Sequence, residues 1–207
     1  MTNTSRKGKK NEVDEEAFNK LFSHETNNCK QFSALWFSRD GNIGMYYFGY
    51  KNATEILLKW FSKPNDDNGT IYPLMFLLRH TVEIGLKESI RRAILLGSTK
   101  FTLSERERER IWATHNLQIL ADLFNKVMEE YDVNEDDDWK EIKPYLQLWQ
   151  AADPQATLGK YPVSTNGEPF NVTGVICGEK LVIIGMKTID FLDSVLSTLE
   201  YYLSIER

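Results

Sequence analysis

One segment limits the folds open to this chain more than any other: YPLMFLLRHTVEIGLKESIRRAILL, residues 72–96. Pro73 suits the first turn of a helix, where its missing N–H leaves no bond unmade. The run Leu-Met-Phe-Leu-Leu at 74–78 makes the start apolar almost all round. A helix that is apolar on every side belongs inside a core, so this one is expected at the centre of the molecule. Into that setting come Arg79, His80, Glu83 and Lys87, spaced three and four apart so that all four share one side of the helix. Charges placed there are costly unless they are paired and hydrogen-bonded.

Other helices are expected around it. Tyr46, Tyr50, Ala53, Leu57 and Trp60 recur at helical spacing over about Met45 to Phe61 and predict a core-facing stripe. The stretch from Lys63 to Gly69 breaks that helix. Ser104 with Glu107 fits a capping box that opens the short charged helix ERERERIWA. Leu117, Leu120, Phe124, Val127 and Tyr131 mark another over about His115 to Tyr131. The acidic run Glu135 to Asp138 precedes Trp139, Ile142, Leu146 and Trp149; carboxylates there complement the helix dipole and need no metal. A last helix over about Ile189 to Ile205 carries Leu192, Leu196, Leu199 and Leu203. Before it, Asn166-Gly167 is a hairpin signal, and Gly178-Glu179-Lys180 separates the β-prone runs VIC and LVIIG. The expectation is a mainly α protein: a helical bundle of four to six helices with a small β-hairpin insertion at about 155–187. Residues 1–11, with Arg6, Lys7, Lys9 and Lys10, read as a flexible basic tail, and residues 12–207 as a single domain. An amphipathic stretch at Val13, Phe18, Leu21 and Phe22 and a turn at Asp40-Gly41-Asn42 open that domain.

Composition narrows the function classes. Apolar residues make up 42% of the 207 and aromatics 12%, enough for a core. The net charge of −5 gives no global pull toward nucleic acid or an anionic membrane, so any RNA contact needs a local basic patch. The N-terminus MTNTSRKGKK lacks an apolar signal core, and no apolar run approaches the roughly 20 residues needed to cross a bilayer. Cys29 and Cys177 lie far apart and in no CxxC pattern, which points away from zinc and disulfides and toward a reducing cytoplasm. In such a protein the sequons at Asn52 and Asn171 carry no weight. Phosphate-cradling glycine loops, a GxSxG elbow and HExxH are missing, and His24, His80 and His115 are too few for a histidine-rich metal site. No cofactor is expected.

Two constellations remain. Arg79, His80, Glu83 and Lys87 form either a satisfied polar network, with Glu83 flanked by Arg79 and Lys87 and His80 bonded to a neighbouring helix, or a pocket where Arg79 grips a phosphate. Arg110 and His115, with four residues between them, are either surface residues or a pair for metal-independent RNA cleavage. Histidine moves protons near neutral pH, and arginine offsets the charge that builds on the phosphorus in the transition state.

At these residues the chain resembles a known group. YPLMFLLRHTVEIGLK at 72–87, then THNLQILADLF at 114–124, is similar to HEPN-like bacterial proteins in which a "YPxxFLxRHxxExxLK" helix precedes an "HxL" helix. Lys160-Tyr161-Pro162-Val163 with Asn166-Gly167 resembles their "RYPxDxxG" segment. The resemblance implies a bundle of four or five helices, commonly a homodimer, in bacterial or phage defence, with an antitoxin among its partners. Active members are metal-independent ribonucleases with an Arg-x4–6-His motif, which falls here on Arg110 and His115. His115 would then move the proton and Arg110 stabilise the phosphate, with Arg79, His80, Glu83 and Lys87 as substrate-binding or supporting residues. The alternative is a non-catalytic module that senses a partner protein or small ligand through the polar pocket; a purely structural bundle is a third reading. A ribonuclease predicts a groove where Arg110 and His115 approach each other. A module predicts a buried, fully paired Glu83 network and an exposed apolar face.

Overall fold

The computed structural model describes residues 43–63, 69–97, 103–131, 136–163, 166–169 and 177–205, all within the unit Asn42–Arg207. The basic tail, the stretch at 13–22, the Asp40-Gly41-Asn42 turn, His24, Cys29 and the sequon at Asn171 lie outside those residues, as does most of the break at 63–69. Six α-helices appear among them: α1 (Ile43–Phe61), α2 (Ile71–Leu95), α3 (Glu105–Ala113), α4 (Leu117–Met128), α5 (Asp137–Ala152) and α6 (Gly178–Ile205). A 3-10 turn, Glu129–Tyr131, extends α4.

The centre of the bundle is α2, which packs against α1, α6 and α4, while α5 closes over α4 and α6. Every residue from Thr81 to Ile90 is buried. One apolar cluster gathers Val82, Leu86 and Ile90 with Ile111, Leu120, Phe124, Trp139, Leu192 and Leu196; a second joins Leu58, Leu74, Leu78, Leu181 and Ile189. Two of the buried polar groups on α2 are satisfied locally: Ser89 Oγ donates to the Gly85 carbonyl at 2.9 Å, and Glu88 accepts from Arg91 and Arg92 at 2.7–2.8 Å.

Helix ends follow their sequence signals. Ser104 and Glu107 form the expected capping box, Asn116 caps α4 by accepting from the Ile119 amide at 3.0 Å, and Asp136 caps α5 by accepting from the Asp138 and Trp139 amides. Short polar caps matter here because α3 and α4 meet across only three residues, 114–116.

Two expectations need correction. The buried stripe of α1 is Gly44, Tyr47, Thr54 and Leu58, whereas Tyr46 and Trp60 are exposed and Tyr50, Ala53 and Leu57 lie on its flank. The β-hairpin insertion is not seen: no strand occurs among the described residues, and only an isolated antiparallel bridge, Val163 to Pro169, spans the Asn166-Gly167 turn. The run LVIIG lies inside α6, which starts eleven residues before the expected Ile189, at Gly178. Leu181, Ile184, Gly185, Thr188 and Ile189 continue the same buried face as Leu192 and Leu196. Burial at helical period overrides the strand propensity of a few β-branched residues.

Candidate active site

The two constellations separated in sequence converge on one carboxylate. Glu83 sits midway along α2 with its side chain only 3% exposed. Its Oε1 accepts from Lys87 Nζ at 2.8 Å and lies 2.8 Å from His115 Nδ1; its Oε2 is 3.4 Å from Arg79 Nη1. Lys87 and Arg79 reach it from one turn below and one turn above on the same helix face. His115 comes from the α3–α4 junction, and its side chain is 63% exposed although its partner is buried.

Burial pushes the Glu83 carboxyl up, and the bonds and charges of Lys87 and His115 more than offset it, leaving it below the usual carboxylate range. Glu83 is therefore an anion at neutral pH. A neutral His115 then carries its proton on Nδ1, donated to Glu83, and its Nε2 is free to accept one. This is the arrangement by which a buried carboxylate orients a histidine for proton transfer.

Arg79, 6% exposed, ties the surrounding segments together. Its Nη2 donates to the His115 carbonyl at 2.8 Å and, at 3.4 Å, to Gln150 Oε1 and the Asp153 carbonyl. Its Nε has no hydrogen bond; Asp153 Oδ2 stands 3.7 Å away, a charge contact too long to be one. Gln150 Oε1 also accepts from the Leu117 amide at 2.8 Å, so the end of α5 and the start of α4 are joined through the same few atoms. A small cavity lies beside Arg79, lined by Met75, Trp149, Asp153, Leu158 and Gly159.

His80 is half-buried one residue on, and its ring meets Tyr50 of α1 edge-on at 4.4 Å and stacks on Phe76 at 5.5 Å. A ring contact thus links it to the neighbouring helix. Burial lowers its pKa; Glu83 opposes that shift, and the charges of Lys160, Lys87 and His115 reinforce it. Arg110 is exposed in the last turn of α3, and the hydrogen bond of the His115 ring goes to Glu83, not to Arg110. Among the described residues no group of histidine, cysteine and acidic side chains could hold a metal, and no helix is long and apolar enough to cross a membrane.

Asp153 and Gln150 are not among the residues singled out from sequence, and Lys160 enters there only through the resemblance of residues 160–167. A buried arginine requires counter-charge, which signals that some acid must meet Arg79, but only the packing of α5 on α4 selects Asp153. No family model, curated protein or solved structure matches this chain.

Proposed function

We propose that the chain is a HEPN-like effector of cell defence, working as a homodimer that cleaves RNA without a metal, with His115 as the proton-transfer group. The observation that carries the reading is an exposed imidazole whose Nδ1 rests 2.8 Å from a buried, ionised carboxylate. In the reaction, His115 Nε2 takes the proton of a ribose 2′-hydroxyl. The 2′-oxygen bonds to the adjacent phosphorus as the bond from phosphorus to the 5′-oxygen breaks, and the leaving oxygen takes a proton from solvent. A 2′,3′-cyclic phosphate and a 5′-hydroxyl result. Glu83 holds the tautomer and stabilises the imidazolium. Arg79 and Lys87 act from within, keeping Glu83 charged and the His115 backbone fixed. Arg110, exposed one short turn earlier in the chain, supplies the contact to phosphate. RNA as the substrate, the homodimer and the defence role are supported by the resemblance of residues 72–87 and 114–124 to HEPN-like proteins.

The test is cleavage of single-stranded RNA by the purified chain in excess EDTA. Wild type yields fragments ending in cyclic phosphate, and His115→Ala lowers the rate by about 10²–10⁴. Arg110→Ala lowers it through weaker phosphate stabilisation. Intact RNA with wild type would reject the reading in favour of a non-catalytic module that binds a partner protein or small ligand. That second reading is favoured by the buried Glu83 carboxylate, paired with Arg79, Lys87 and His115, and by the exposed Met45, Phe48 and Ile56 on α1.

A further inference from the structure

Beside His115 the chain builds a surface that the cleavage step does not use. Residues 153–161 leave the end of α5 and run across the first turns of α2. Asp153 Oδ1 accepts from the Thr157 amide at 2.8 Å, and the Thr157 carbonyl accepts from the Lys160 and Tyr161 amides at 2.9 and 3.1 Å. The segment is therefore held by its own bonds. It lies so close to α2 that a Cβ on Gly159 would sit 2.6 Å from the Tyr72 carbonyl oxygen and 2.8 Å from the Phe76 amide nitrogen. Only glycine admits this approach of two backbones.

That contact brings Lys160 Nζ to 4.7 Å from the centre of the Phe76 ring. Phe76 stacks on His80, and the neighbouring Arg79 ties His115 to the segment by donating to the carbonyls of both His115 and Asp153. Tyr161, two residues after Gly159, and Tyr72, whose carbonyl faces Gly159, are 60% and 59% exposed. Aromatic rings and a cation thus run from His80 through Phe76 to Lys160 of the 153–161 segment. Charge points the same way: Arg79 and Lys87 are buried and paired with Glu83 and Asp153, and Lys160 is the cation of this cluster that meets an aromatic ring and, among the described residues, no carboxylate.

We propose that residues 153–161, with Tyr72, Phe76 and His80 of α2, form the binding platform for a single-stranded RNA segment: Tyr161 and Tyr72 stack unpaired bases, and Lys160 meets the adjoining phosphate. This deepens the ribonuclease reading and rests on it for the site and substrate. Stacked bases and neutralised phosphates are the two contacts by which single strands are held without reading sequence. Double-stranded RNA hides its base faces and cannot use such a platform. The bonds that hold the segment mean that little ordering is needed when the strand binds.

The experiment is fluorescence anisotropy with a 2′-O-methyl oligouridine of about ten nucleotides, a length within the range of single-strand sites. The probe lacks the attacking hydroxyl, so binding is read apart from cleavage. The same probe annealed to its complement serves as the duplex. Full-length wild type binds the single strand and favours it over the duplex. Tyr161→Ala and Lys160→Ala each weaken binding about tenfold, and Tyr161→Phe restores it. Lys160→Ala also lowers the salt dependence by about 0.7, one phosphate contact on a single strand. Absence of single-strand binding by wild type, equal binding by the alanine variants, or equal binding of duplex would each overturn the platform. Cleavage with unaltered binding in the variants would remove the platform and keep the ribonuclease. Binding without cleavage of ordinary RNA would keep the platform and remove the ribonuclease.

Discussion

His80 is the residue whose surroundings set the clearest pH dependence. It is packed between Tyr50 of α1 and Phe76 of α2, and it faces Glu83, Lys87, Lys160 and His115. Burial outweighs the pull of Glu83 and holds its pKa below the ordinary 6.5. In the unfolded chain this histidine binds a proton at pH values where the folded one does not. Stability from this residue is therefore fully present above about 6.5 and is lost as pH falls toward the lower folded value. Thermal melts at pH 7.5 and 5.5 check this. Wild type loses more melting temperature between the two than His80→Phe does, and equal losses would remove His80 from the account. Much of this neighbourhood was legible beforehand: Arg79, Glu83 and Lys87 could be paired from their spacing alone. The partner that completes Glu83 was not, because His115 is 32 residues away and reaches it only when the α3–α4 junction docks on α2.

Among the elements, the seating of α1 on α2 turns on a notch at Gly85. A Cβ there would stand 2.9 Å from both Tyr47 Cε2 and Leu192 Cδ1. The fully buried Tyr47 ring fills that notch, and Thr54 Oγ1 meets Thr81 Oγ1 at 2.8 Å one helical step along. Gly85→Val overfills it and is expected to cost about 1–3 kcal/mol. Differential scanning calorimetry would show a melting temperature lower by several degrees, and an unchanged melt would mean that the notch has slack. The same notch explains why the face of α1 was misjudged. Tyr46 and Tyr47 are adjacent, and each begins a plausible helical stripe, so hydrophobic spacing alone could not choose between them. The choice belongs to α2, through a glycine that admits a ring and a threonine that offers a hydroxyl. The β-prone start of α6 was misjudged for a related reason: its burial face is defined by the helices beneath it, not by its own residue preferences.

At the scale of the whole bundle, the longest unbroken run of burial among the described residues lies in α2. All ten residues from Thr81 to Ile90 are buried, whereas α3 buries only Ile111 of its nine. Hydrogen exchange should follow that gradient. Amides of residues 85–90 are expected to exchange only through global unfolding, and those of α3 through local opening at much lower free energy. Equal protection in the two helices would contradict a bundle organised around α2. This organisation was the most legible feature of the chain, because an apolar run interrupted by paired charges has few places to go except the middle. The Arg79 clamp has a consequence for how such a sequence can drift. Its shortest bond goes to the main-chain oxygen of residue 115, and it also reaches the main-chain oxygen of residue 153. Every amino acid supplies that oxygen. As far as the 2.8 Å bond is concerned, residue 115 can change identity without releasing its segment, so the fastening can outlive any chemistry performed at His115. A descendant that lost the histidine would keep the shape of the site, ready for a different use.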